Sequence, residues 1–177
     1  VGENRILAYY GLKRLNEKPG KGLSSIIKIC GLDKHVITID DIVFKIGPRI
    51  NAAGRMEVDS DDENAAPSGG HSAVYLMVAR DEEVASEYGA FIDTCNQDRK
   101  NIDRSITQEA HEIIESRPEL KNRKSTVIYN PKWMKGIVGI VASRLIETYY
   151  RPTVVLTMSN GYVTGSARSV PGFDLYQ

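Results

Sequence analysis

Only two cysteines, Cys30 and Cys95, occur in the 177 residues, and they form no CxxC pair. That arrangement implies no metal site and reads as two reduced, buried thiols of a cytosolic protein. No apolar run approaches the roughly 18–20 residues that cross a bilayer, and no signal-peptide pattern opens the chain, so no membrane partner is expected. GxxxxGK[ST], GxSxG and HExxH are all missing, which removes the common nucleotide-loop, serine-hydrolase and zinc-protease readings. Neither an evident nucleophile nor a paired-carboxylate signature stands out.

Net charge is missing as well, with 23 Lys+Arg balancing 23 Asp+Glu. The balance is uneven along the chain. Residues 1–120 carry 15 basic against 21 acidic side chains, and residues 121–177 carry 8 against 2. A basic C-terminal third attracts polyanions locally, although a solvated face gives the same bias.

What is present reads as helices followed by a mixed sheet. "GENRILAYYGLKRLNEKPG" begins as an amphipathic helix, with Ile6, Leu7, Tyr10, Leu12 and Leu15 at helical spacing, and Pro19-Gly20 ends it. "KGLSSIIKICGL" gives a second helix closed by Gly31. "TIDDIVFKI" gives a third, with Thr38 as N-cap and Asp40 and Asp41 in its first turn. "EVDSDDENAAPSGGH" reads as a surface loop. Its "DSDDEN" does not make a calcium loop, because Asn64 replaces the required glycine. His71 then opens a helix containing Ala73, Leu76 and Met77. A very long helix follows, carrying Val84, Tyr88, Ile92, Cys95, Ile102, Ile106, Ala110 and Ile113, and Pro118 stops it. Beyond it come the strand "STVIYN", the helix "KGIVGIVASRLIETYY", and the strands "PTVVLTMS" and "GYVTGSAR" joined by an Asn160-Gly161 turn. This order predicts an α/β fold with a mixed sheet under helical cover. Both ends read as interrupted: the chain opens in a helix-forming run and closes on "GFDLYQ", a helix start without continuation.

Three stretches carry candidate binding residues. "FKIGPRINAAGRM" (44–56) fits neither strand nor helix periodicity and is expected to be a turn, or a shaped loop presenting Arg49 and Arg55 to an anion. In "GSARS" (165–169) the period of two places Ser166 and Arg168 on one side, a short hydroxyl donor beside a planar guanidinium fork. An edge strand with polar residues facing water accounts for the same pattern. "NPKWMKGIVGIVASRL" puts Trp133 and two lysines ahead of a helix whose start holds Gly136 and Gly139. Such a start suits an anion, while tight packing of the glycines on the sheet with Trp133 in the core explains it equally. Its GIVG has the spacing of a KH-type GxxG loop, but the central residues are apolar.

Taken together, "GPRINAAGRM", "WMKGIVGIVASRLIETYYRPTVVL" and "GSARSVPGFDLY", separated by a long helix with "NQDRK", resemble the RecJ family. These are single-stranded-DNA-specific exonucleases of the DHH phosphoesterase superfamily, and the resemblance covers nearly the whole chain. It implies the C-terminal part of a DHH catalytic domain over residues 1–80, a long connecting helix over 81–118, and the first, mixed-sheet half of a DHH-associated domain over 119–177. It also implies a cytoplasmic 5′-to-3′ exonuclease of DNA repair and recombination, using manganese or magnesium. Two such ions would clamp the phosphate and activate water. The DHH triplet and the metal-binding aspartate motifs are absent from these residues, so neither a catalytic group nor a metal ligand is expected here. Where the family commonly has His after the Trp, this chain has Met134.

Carried over by position, the resemblance makes Arg49, Asn51 and Arg55 contacts to DNA phosphates. Ser166 and Arg168 hold a terminal 5′-phosphate, with Gly165 allowing close approach. The partner the resemblance implies is single-stranded DNA. A DHH phosphoesterase acting on short oligonucleotides and a non-catalytic nucleic-acid-binding module are the competing functions.

Overall fold

The computed structural model describes residues 1–56 and 69–175. The surface loop and the rejected calcium loop fall mostly on 57–68, outside the described residues. The chain forms two compact units, Val1–Gln97 and Asp98–Gln177.

Unit 1 is helical. Helix α1 (Glu3–Glu17) and helix α2 (Lys21–Ile29) are separated by the expected Pro19-Gly20 break. Gly31 follows α2 with φ +68°, a conformation glycine adopts without strain, and Leu32 N–H reaches back to the Ile27 carbonyl at 3.0 Å. Asn16 ties the end of α1 to the Ile37 backbone, accepting from its N–H at 2.8 Å and donating to its carbonyl at 3.0 Å. The core joins Leu15, Ile26, Ile27, Leu32, Ile37, Ile46, Ala53, Leu76 and Ile92. Helix α1 exists as predicted, but its apolar stripe does not serve this core: Ile6, Leu7 and Tyr10 are exposed and Leu15 alone is buried.

The third helix starts as the sequence indicates. Thr38 and Asp41 form a reciprocal capping box at α3 (Ile39–Asp41). Residues 44–56, however, make no loop. A π-helical run over Ile42–Ile46 leads directly into α4 (Gly47–Arg55). Pro48 accounts for both features. It lacks an N–H, so it fits the first turn of α4, and its ring crowds the carbonyl four residues back, which a wider π-helical turn relieves. The Gly47 N–H accordingly bonds to the Ile42 carbonyl, five residues back. Ala52 and Ala53 are fully buried, packing α4 against α5 (Gly69–Val78), and His71 lies in the first turn of α5. Ala73, Leu76 and Met77 all lie on α5 as expected, with Leu76 buried and Met77 49% exposed.

Helix α6 (Glu82–Glu115) runs through the division between the units. In unit 2 it is followed by α7 (Pro118–Lys121), β1 (Thr126–Tyr129), α8 (Lys135–Tyr149), β2 (Thr153–Ser159) and β3 (Tyr162–Arg168). The sheet order is β1-β2-β3, with β1 parallel to β2 and β2 antiparallel to β3. Asn160 and Gly161 have φ of 51° and 76°, the two positive values a tight two-residue hairpin turn requires. Helix α8 buries Ile137, Val138, Val141, Ala142 and Leu145, one stripe against the sheet. Each of its larger aliphatics stabilises the unit by about 1.5–3 kcal/mol relative to exposure. Strand β1 is buried on one face only, since Val127 and Tyr129 are exposed. The closing "GFDLYQ" has not entered a helix over residues 172–175, where the chain turns back with Phe173 N–H on the Val170 carbonyl at 3.2 Å. No helix among the described residues is long and apolar enough to cross a membrane.

Candidate phosphate-binding site

The six sequence-derived residues divide evenly between the units. In unit 1, Arg49, Asn51 and Arg55 all lie on α4. Arg49 does not project outward: its Nε donates to Asp93 on α6 at 2.8 Å and its Nη1 to the Lys45 carbonyl at 2.9 Å. Its side chain is only 16% exposed. Asn51 and Arg55, four residues apart, share the exposed face of the same helix. Two grooves of about 530 and 610 Å³ flank α2, and none of the three residues lines either.

Unit 2 brings two separate sequence motifs together. The residues of β3 opposite the buried Thr153 and Val155 are Arg168 and Ser166, so both side chains stand on the α8 face of the sheet. They meet Gly139 of α8 there. A Cβ on Gly139 would lie 3.0 Å from Ser166 Oγ and 3.4 Å from Arg168 Nη2. The polar pair is therefore seated on the helix at a residue with no side chain, in the second turn from the positive end of the α8 dipole. Arg168 is exposed, and its Nη1 donates to the Ala167 carbonyl at 2.9 Å, which orients the fork. The arrangement sets a hydroxyl and a guanidinium beside bare helix backbone, donor groups of the kind a small anion takes.

Gly165 has a different role from close approach to a ligand. A Cβ there would stand 2.1 Å from the Val155 carbonyl oxygen, so the residue is dictated by its pairing with β2. Trp133 is resolved too. It is 4% exposed, and its Nε1 donates to Glu109 at 2.7 Å. It is a core residue with its one polar atom satisfied.

Several other polar groups escaped sequence reasoning. Arg144 of α8 makes a bidentate contact with the buried Asp103 of α6, Nη2 to Oδ2 at 2.7 Å and Nε to Oδ1 at 3.0 Å. Arg151, 8% exposed, donates to the carbonyls of Leu120, Lys121 and Arg123 and to Thr126 Oγ1, joining α7 to β1. Both look like ordinary surface charges in the sequence. Hydroxyl chemistry is muted at Tyr149, where burial, followed by the Glu115 carboxylate it donates to, pushes the phenol pKa up. Burial likewise pushes up the Cys30 thiol, an unreactive state.

No family model matches the chain. Curated relatives do. It is 36% identical over 177 residues to the single-stranded-DNA-specific exonuclease RecJ of Bacillus subtilis, which aligns with 99% of this chain and 21% of the relative. The Haemophilus influenzae and Escherichia coli proteins of the same name are 33% and 30% identical, covering 97% of this chain and 29% of theirs. A crystal structure of Thermus thermophilus RecJ with Mn2+ superposes with a TM-score of 0.75 at 25% identity, over 96% of this chain and 22% of that one.

Over nearly all of its own length the chain is similar to RecJ proteins. It spans between a fifth and three tenths of the length of those curated RecJ proteins. The α/β architecture expected from the sequence is the one the RecJ structures share. RecJ structures have been solved with Mn2+ and with Mg2+. Among the described residues here, no group of three or more His, Cys, Asp or Glu comes together that could hold a metal ion. The described residues do not fit that role.

Proposed function

We propose that this chain is the phosphate-reading segment of a 5′-to-3′ single-stranded-DNA exonuclease of DNA repair and recombination, acting in the cytoplasm. Unit 1 belongs to the end of a DHH catalytic domain and unit 2 to the beginning of a DHH-associated domain, with α6 as the connection. Manganese or magnesium serves the full-length enzyme from residues outside this chain.

The observation that carries this reading is the convergence of Ser166 and Arg168 on Gly139. A terminal phosphate carries more charge and one more free oxygen than an internal diester. A guanidinium fork beside a hydroxyl suits it, because the fork takes two oxygens and the hydroxyl a third. Contacts of this kind to phosphate oxygens carry no sequence information, which agrees with an enzyme indifferent to sequence. Asn51 and Arg55 on α4 supply further phosphate contacts.

The test is binding of 5′-phosphorylated and 5′-hydroxyl oligonucleotides by the full-length protein and its Arg168→Ala variant. The variant should lose affinity mainly for the phosphorylated strand, and equal losses on both would remove the assignment. The 177-residue chain alone should not hydrolyse DNA with either metal. Dose-dependent cleavage by the pure chain would overturn that part.

A further inference from the structure

Gly139 is carried by α8, and the turn that leads into that helix is held by one carboxylate of α6. Glu109 uses its two oxygens on the two ends of the turn joining β1 to α8. Oε1 accepts from Asn130 Nδ2 at 2.6 Å and Oε2 from Trp133 Nε1 at 2.7 Å. The turn between them is closed from inside. Trp133 N–H donates to the Asn130 carbonyl at 3.2 Å, and Lys132 N–H to Asn130 Oδ1 at 2.9 Å. It is anchored from below as well, since the Asn130 N–H donates to the Leu156 carbonyl and Thr157 Oγ1 to the Trp133 carbonyl. Met134 comes next, and its carbonyl accepts from Ile137 N–H at 3.0 Å to start the helix that carries Gly139.

We infer that Glu109 is a positioning residue for the phosphate seat, fixing the Asn130–Trp133 turn so that Gly139 stays under Ser166 and Arg168. The inference rests on the function proposed above. Binding geometry of this kind tolerates shifts of only about 0.5 Å. A turn with a free indole N–H and a free amide would let the first turns of α8 drift by more. The chemistry also specifies a carboxylate. Both partners are N–H donors, so the residue must offer two acceptors, and a glutamine would turn its own NH₂ towards one of them.

The test uses the full-length protein and four variants: Glu109→Gln, Trp133→Phe, their combination, and Arg168→Ala as reference. The readout is the ratio of dissociation constants for 5′-hydroxyl and 5′-phosphorylated oligothymidylate, with circular dichroism melting alongside. A loss of folded protein lowers binding to both strands and leaves that ratio unmoved. Glu109→Gln should lower the ratio by roughly threefold or more. Trp133→Phe, which deletes the indole donor along with part of the buried ring, should do the same, and the double variant should be no worse than the poorer single. An unchanged ratio in Glu109→Gln beside a collapsed ratio in Arg168→Ala overturns the role of Glu109 alone. Equal weakening of both strands by Glu109→Gln and Trp133→Phe overturns it too, as a merely structural contact. An unchanged ratio in Arg168→Ala removes the terminal-phosphate seat itself, and the positioning role goes with it.

Discussion

Ser166 Oγ lies where it would stand 3.0 Å from a Cβ on Gly139, so strand β3 and helix α8 are in register at a residue with no side chain. This contact separates stability from binding. Gly139 is inside a helix, where alanine is favoured over glycine by up to about 1 kcal/mol. An added methyl must nevertheless push Ser166 aside by a few tenths of an ångström. Gly139→Ala should therefore unfold at the same or slightly higher denaturant concentration while losing preference for a 5′-phosphate. Retained preference in a stabilised variant would show that the seat is not built on this contact.

Gly165 is constrained more severely. Its virtual Cβ meets the Val155 carbonyl oxygen at 2.1 Å and Leu156 Cα at 2.9 Å, and both obstacles are backbone. Relief requires opening the β2–β3 pairing. Gly165→Ala should cost at least about 2 kcal/mol in urea denaturation of this chain. Gly54→Ala, at an exposed helical position with nothing within 4 Å, should be neutral or stabilising. Equal effects at the two glycines would refute the assigned collision.

The two outcomes at glycine illustrate what the sequence could convey. Period-two alternation placed Ser166 and Arg168 on one side correctly, and the helix-start glycines of α8 were recognisable, but their meeting required the β1–α8–β2 crossover. Glu109 and Asp103 were invisible, since an acidic residue on a long helix has the same signature whether solvated or pinned. The stretch 44–56 failed for a specific reason. Pro48 reads as a break, and only the π-helical turn before it lets one continuous helical path absorb the missing donor. Arg49 then faces α6, a direction that no spacing rule applied to a loop could provide.

The same segment has an acid-sensitive anchor. Asp41 accepts from Lys45 Nζ at 2.7 Å, from the Thr38 N–H at 3.0 Å and from the Thr38 hydroxyl at 2.9 Å. The Lys45 hydrogen bond, then those from Thr38, hold its carboxyl well below the usual carboxylate range. A depressed folded-state pKa means that the stabilisation is complete above the unfolded value, about pH 4, and is lost as pH falls further. Asp41→Asn should destabilise the chain by a constant amount from pH 5 to 8. The gap to the parent should narrow progressively below about pH 4. A gap that widens on acidification would reverse the sign of the argument.

Arg49 and Asp93 provide the decisive comparison within unit 1. Their contact at 2.8 Å joins α4 to α6, with side-chain exposures of 16% and 30%. A pair this shielded is screened less than a surface one, so a coupling of about 1 kcal/mol is expected from the cycle of Arg49→Ala, Asp93→Ala and the double variant. The coupling should change little between low and moderate salt, because the pair is short and partly buried. Arg55→Ala, at an exposed position of the same helix, should leave stability within about 0.5 kcal/mol and instead weaken binding of single-stranded DNA by the full-length protein. If Arg49→Ala leaves stability untouched and abolishes DNA binding, Arg49 exchanges Asp93 for phosphate and belongs with the binding residues. A measured coupling with unchanged DNA affinity would instead make it a brace between α4 and α6, and would leave Asn51 and Arg55 as the phosphate contacts of this unit.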